Sequence, residues 1–143
     1  MLADHARFLA TAGGEGEMVQ LSFVHIDDFD FSACDLQEVY FDGSVLNNCS
    51  FVGAELSRAN FNRTQAPGVD FTRAVMVKAQ IFRANFAGAR FDNANLTRAF
   101  ISKTDLTNAS FRGANLLAAD VSDCNLDGAV FEGANLDHSD LNA

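Results

Sequence analysis

The chain of 143 residues has the length of one domain, and at 48% hydrophobic it holds enough apolar material for a continuous core. No stretch approaches the roughly 18 consecutive apolar residues of a membrane span, and no basic region leads into an apolar run at the N-terminus, so a cytoplasmic location is the default expectation, with secretion independent of a signal peptide left open. The net charge of −9 disfavours nucleic acid if spread evenly, and the three cysteines, Cys34, Cys49 and Cys124, have neither the number for a disulfide framework nor the spacing for zinc.

In chain order, residues 1–18 come first as a capping segment. Leu2, Ala6, Leu9 and Ala10 form the apolar stripe of a short helix ending near Gly13-Gly14, and such a helix would cover the first cross-section of whatever follows. From Leu21 to Leu141 a large apolar residue then recurs at every fifth position, with Ala66 the one small exception. Two residues before each of these, from Cys34 onward, stands Ala, Cys, Ser, Thr or Val. A period of five fits neither the 3.6 of a helix nor the 2.0 of an ordinary strand, so the chain must turn a corner every five residues. Residues 19–143 are therefore read as an all-β solenoid.

A second period lies on the first. Phe31, Phe51, Phe71, Phe91, Phe111 and Phe131 recur at intervals of twenty, and Leu36, Leu56, Met76, Leu96, Leu116 and Leu136 repeat the interval with aliphatics. Stacking like on like gives a square coil of four five-residue sides. About six coils, roughly 4.8 Å apart as parallel strand neighbours, would make a rod on the order of 30 Å long. Ala66 shares a column with Phe86 one coil on, which relieves crowding there, and Pro67-Gly68 suggests a local distortion.

The units Ala59-Asn60-Phe61, Ala84-Asn85-Phe86, Ala94-Asn95-Leu96, Ala114-Asn115-Leu116 and Ala134-Asn135-Leu136 resemble pentapeptide-repeat proteins over about residues 19–143. The resemblance implies a right-handed quadrilateral β-helix. For function it implies less, because proteins alike in the repeat include DNA-mimicking inhibitors or protectors of DNA gyrase, secreted effectors and many without an assigned role. Gyrase-directed relatives generally dimerise through elements after the repeat. Here the repeat runs to Leu141, and its end has two readings: an end-to-end homodimer through the C-terminal coil, or a last half-coil that frays and shields the apolar end.

Charge falls in three blocks. Residues 15–55 hold nine acids and no base, residues 58–112 nine bases against three acids, and residues 113–143 six acids and no base. On twenty-residue coils the bases form two columns at neighbouring corners: Arg58, Lys78 and Arg98 in one, Arg63, Arg83 and Lys103 in the next. Stacked like charges are mildly unfavourable, which points to an acidic partner as compensation, against the plainer reading of solubility residues. Phe82 and Phe100 fall at outward positions on the side carrying Arg83 and Lys103, with Val75 and Val77 on the adjoining side, and aromatics beside arginines are typical binding-site material.

Chemistry is missing from this pattern. His5, His25 and His138 are scattered, and no nucleophile, base and acid can be placed on one face, so no enzyme activity and no cofactor are expected. His25, Asp27, Asp28 and Asp30 lack a complete calcium-loop pattern and read as a solvated acidic turn, leaving no metal site. The reading is a non-enzymatic interaction or scaffold module whose basic, partly apolar patch meets an acidic protein surface. Its alternative is a DNA mimic acting on gyrase or another type II topoisomerase, which would need continuous acidity along the rod; direct binding of nucleic acid suits a net-acidic rod poorly.

Overall fold

The computed structural model describes residues 18–142. The capping helix expected over residues 1–18 falls outside them except for Met18, and no helix occurs among the described residues.

Parallel bridges join the residue before each inward large one to the residue twenty positions later, from Gln20↔Tyr40 to Asp120↔Asp140. Within one turn the bridges start at Tyr40, Val45, Ser50 and Glu55, one per side, so the coil has the four sides that the double period demands. Large residues at the fifth positions and small residues two before them point inward together, and both sets are buried through the middle coils.

The Phe31 column forms a continuous ladder. Its rings stack at centroid distances of 4.8, 5.1, 5.1, 4.8 and 4.9 Å from Phe31 to Phe131, which is the spacing of neighbouring parallel strands carried into the core. Phe41 and Phe61 stack at 4.8 Å on the opposite side and meet the first ladder edge-on, Phe41 against Phe51 at 5.4 Å. Ala66 is fully buried, and the ring of Phe86 from the next coil approaches Phe61 at 6.0 Å and Phe71 at 5.5 Å, between the two large neighbours that flank Ala66 in sequence.

Every corner has the same backbone solution. The second residue after each inward large residue, from Phe23 to His138, has a positive φ between 53° and 71°. In most corners the N–H of the third residue returns to the carbonyl of the inward one, as Ala74 N–H does to Phe71 at 2.9 Å, which makes a type II turn. The residue before the inward one closes the turn from outside: Thr72 N–H donates to Asp70 Oδ1 at 2.8 Å, Ala87 N–H to Asn85 Oδ1 at 3.1 Å, Thr97 N–H to Asn95 Oδ1 at 3.1 Å. That is why Asn and Asp recur before the inward residue.

Pro67-Gly68 makes no distortion, contrary to the sequence expectation. The turn closes from Val69 N–H to Ala66 C=O at 3.3 Å, and the ladder runs on through Gln65↔Asn85. Proline has the φ that the first turn residue needs, and Gly68, at φ 71°, takes the left-handed one at no steric cost. The dipeptide is a good corner rather than a defect.

Two places open the corner into true strand. β1 (His25–Asp27) pairs with β2 (Val45–Asn47), and β3 (Gln80–Phe82), β4 (Phe100–Ser102) and β5 (Asp120–Ser122) form a three-stranded parallel sheet. The central inward residues of β1, β3, β4 and β5 are Ile26, Ile81, Ile101 and Val121, which are the β-branched residues of that inward column set; all its other members are Leu, Phe, Met or Ala. Branching at Cβ favours extended backbone over the turn, so these positions hold the strand open. β2 has Leu46 and takes its strand from pairing with β1 and from Val45 beside it.

Candidate basic face

The sheet β3–β4–β5 is the floor of the candidate site, and the two cation columns are its edges. Row by row the outward residues are Arg58, Asn60, Asn62 and Arg63; Lys78, Gln80, Phe82 and Arg83; Arg98, Phe100, Ser102 and Lys103. All six cations are exposed, and all six occupy the left-handed corner residue, with φ from 53° to 60°. Val75 and Val77 flank Met76 on the adjoining side, half-buried, as the register of Val75↔Asn95 requires.

The structure corrects the picture of six equivalent cations. Arg58 donates from Nη2 and Nε to Glu38 Oε1 one coil earlier, at 2.6 and 2.8 Å. Arg63 is forked onto Asp42, with Nε 3.0 Å from Oδ1 and a second bond from Nη2 to Oδ2, and this carboxylate pushes the guanidinium pKa up. Lys78, Arg83, Arg98 and Lys103 have no ion pair among the described residues. The difference follows in part from the acidic block: rows at 38–43 supply carboxylates to the coil that follows, whereas Lys78, Arg83 and Arg98 have only cations or alanine next to them in their own columns, and Lys103, whose column neighbour is Asp123, forms no ion pair with it. Arg90 and Arg112, on other sides, are paired with Asp70, Asp92 and Glu132 at 3.5 Å.

The aromatics divide as well. Phe82 is half-buried beneath the cations, with Arg83 Cζ 5.1 Å and Lys103 Nζ 5.9 Å from its ring centre, so it serves partly as their rest. Phe100 is 42% exposed and lies in the column between them. Sequence reasoning passed over three further exposed rings. Phe23, 73% exposed, lies across Gly43, where an added methyl would come within 2.6 Å of the ring, and it carries Arg63 at 5.8 Å; Phe29 and Tyr40 are also exposed. Phe29 had a sequence signal, since a large ring at the small inward position cannot enter the core; it tilts out onto Phe31 instead, at 4.4 Å.

The residues outside this face offer little reactivity. Cys49 and Cys124 are buried in the small inward columns, and burial pushes both thiols up from their ordinary pKa; Cys34 is half-buried and all three are free. In the N-terminal acidic turn, Asn47 donates to Asp27 Oδ1 at 2.8 Å and, with His25 at 3.0 Å, holds the Asp27 carboxyl below its usual range.

The comparisons with known proteins follow the fold. The family model described as Pentapeptide repeats matches in eight copies across residues 34–73, 54–81, 74–113 and 114–142. No curated protein matches by sequence. Among solved structures, a pentapeptide repeat protein from the Arabidopsis thaliana thylakoid lumen is 30% identical, covering 73% of this chain and 69% of its own, with a TM-score of 0.41. HetL, involved in heterocyst differentiation regulation in the cyanobacterium Nostoc sp. strain PCC 7120, is 20% identical over 86% of this chain, with a TM-score of 0.40, and this chain spans just under two thirds of it, 66%. QnrB1, a plasmid-mediated fluoroquinolone resistance protein, shares the fold at a TM-score of 0.52 and 15% identity, over 85% of this chain and 71% of its own. Repeat, corner geometry and family match agree, and the chain belongs to the pentapeptide repeat family, whose fold is a right-handed β-helix.

Proposed function

We propose that the chain is a non-enzymatic interaction module whose basic face, framed by Lys78, Arg83, Arg98 and Lys103 around Phe82 and Phe100, docks an acidic protein surface. The observation that carries this reading is where the cations stand. A left-handed backbone costs an L-residue with a Cβ about 1–2 kcal/mol relative to glycine, and other corners are mostly Gly, Asn or Asp. At these two corners Lys78, Arg83, Arg98 and Lys103 occupy that conformation in successive coils, and none of the four forms an ion pair among the described residues. Strain kept at a cluster of unpaired charges is typical of a surface that meets something.

Val75 and Val77 extend the face over the neighbouring corner, and Arg58 and Arg63, already paired, form its polar margin. Mimicry of duplex DNA at a topoisomerase is the competing reading, and four unpaired cations in the middle of the rod work against it. The experiment is a titration of the chain with a labelled polyglutamate peptide, alongside a gyrase supercoiling assay. Binding that is lost in Arg83→Glu/Arg98→Glu/Lys103→Glu, with supercoiling unaffected, supports the acidic-partner reading. Supercoiling inhibited equally by both proteins, without polyglutamate binding, would replace it with mimicry.

A further inference from the structure

The same face carries its own complement further along. Beyond the cation rows the columns continue as Ala118, Asp120, Ser122 and Asp123, then His138, Asp140 and Asn142. Asp120, Asp123 and Asp140 form no ion pair among the described residues, just as Lys78, Arg98 and Lys103 form none. The face is thus half unpaired cation and half unpaired carboxylate, and Phe100 and its 42% exposed ring lie at the border between the halves.

We infer that the acidic surface docked on the basic face is that of a second copy of this chain, lying antiparallel and face to face. This rests on the acidic-partner reading above and names the partner. Two copies of one face can be related by a two-fold axis along the rod or across it. An axis along the rod sets each row on itself, cation rows on cation rows. An axis across the face, between β4 and β5, reverses the rows and keeps the columns. Lys103 then meets the second copy's Asp123, Arg98 lies beside the second copy's Asp120, Lys78 beside the second copy's Asp140, and each Phe100 sits near the axis. The interface is self-complementary, as a two-fold dimer requires.

The N-terminal half offers no equivalent arrangement. There Glu38 and Asp42 are already engaged by Arg58 and Arg63 of the same chain. The contact is small, with four rows of one side covering on the order of 300 Å² per copy, below the roughly 800 Å² per partner of a stable complex. The association is accordingly weak and salt-sensitive.

Sedimentation velocity of the whole chain at about 0.02 M and about 0.3 M salt reads it. The expected result is a concentration-dependent dimer at low salt that dissociates at high salt. Lys78→Glu/Lys103→Glu and Asp123→Lys/Asp140→Lys each weaken it by about tenfold or more, and the protein carrying all four changes dimerises again. These positions are exposed, and thermal unfolding of each variant verifies folding. A wild-type monomer at low salt, a fourfold variant that stays monomeric, or a dimer indifferent to every change, as an end-to-end pairing through Leu141 would be, overturns the inference. If the wild type is monomeric yet binds polyglutamate, only the second copy is wrong; if it binds neither, the acidic-partner reading fails with it.

Discussion

Ile81 and Ile101 are paired in register in the parallel sheet, and each is followed two residues later by one of the unpaired cations, Arg83 and Lys103. At this corner the usual turn bond is replaced: Ala84 N–H points at Thr104 Oγ1 of the next coil, 3.4 Å away, instead of returning to the carbonyl of Ile81. Thr104 Oγ1 in turn lies 3.1 Å from the Ser102 carbonyl and 3.4 Å from that of Ile81. Branching at two buried positions and a hydroxyl of the next coil thus meet beneath the basic face, and the Leu21 corner, where Val24 N–H donates to Ser44 Oγ at 3.1 Å, shares the hydroxyl without the branching.

Replacing both residues, Ile81→Leu/Ile101→Leu, conserves volume and should cost less than about 1.5 kcal/mol. The corner should tighten to the type II turn of its neighbours, and the Ala84 amide, now bonded within its own turn, should exchange more slowly. Hydrogen exchange of that amide is the measurement. An unchanged rate would place the cause of the open corner elsewhere.

Ala66 and Phe86 form a compensating pair across coils. Phe86→Ala removes a buried ring that touches Phe61, Phe71 and Phe91 and should cost about 3–5 kcal/mol. Ala66→Leu alone overfills the same space and should cost about 1–3 kcal/mol. Ala66→Leu/Phe86→Leu restores the aliphatic column seen in Leu46 and Leu106, and denaturant unfolding should find it more stable than the summed losses of Ala66→Leu and Phe86→Leu made singly predict.

Much of this fold could be read from the sequence because a solenoid repeats one local decision. The five- and twenty-residue periods place every inward residue, and the Ala66–Phe86 compensation was visible as a gap in a column. What escaped were the departures from the average coil. Pro67-Gly68 looks like a breaker until the corner is known to be a type II turn, where that dipeptide fits. The distinction between Ile and Leu at inward positions looks neutral until it is clear that one holds a strand open. In the candidate site, the columns gave the six cations, yet the pairing of Arg58 and Arg63 depends on Glu38 Oε1 and Asp42 reaching across a coil, which side-chain placement decides and column position does not.

The left-handed corners give a prediction that separates stability from recognition. Arg73 and Arg98 have φ of 60° and 56°, and neither has an ion pair among the described residues. Only Arg98 lies on the basic face. Replacement by glycine relieves the left-handed strain but gives the unfolded chain more freedom, for a net gain of about 0.5–1 kcal/mol at either site. Arg73→Gly should melt higher and bind polyglutamate as before, whereas Arg98→Gly should melt higher and bind less. Equal loss of binding in both would make net charge, not this face, the determinant.

Acid should undo the turns from outside. Asp105 Oδ1 accepts the Thr107 hydroxyl at 2.6 Å and the Thr107 backbone N–H at 3.0 Å, and these bonds, the hydroxyl first, hold its pKa below the ordinary 3.8; Asp30 is held down in the same way by Ser32. A carboxyl depressed in the folded state contributes stability that is complete above its unfolded value, about 3.9, and is lost as pH falls through the lowered folded value. The melting temperature should therefore hold level from neutrality to about pH 5 and decline below about pH 4. Asp105→Asn keeps an acceptor for the backbone N–H, as Asn85, Asn95 and Asn115 do at equivalent places. It should change little at neutral pH and make the acid decline shallower, because the amide has no proton to gain. Melting curves of the two proteins across that range decide it: parallel declines would mean that the Asp105 turn is not among the groups through which acid acts.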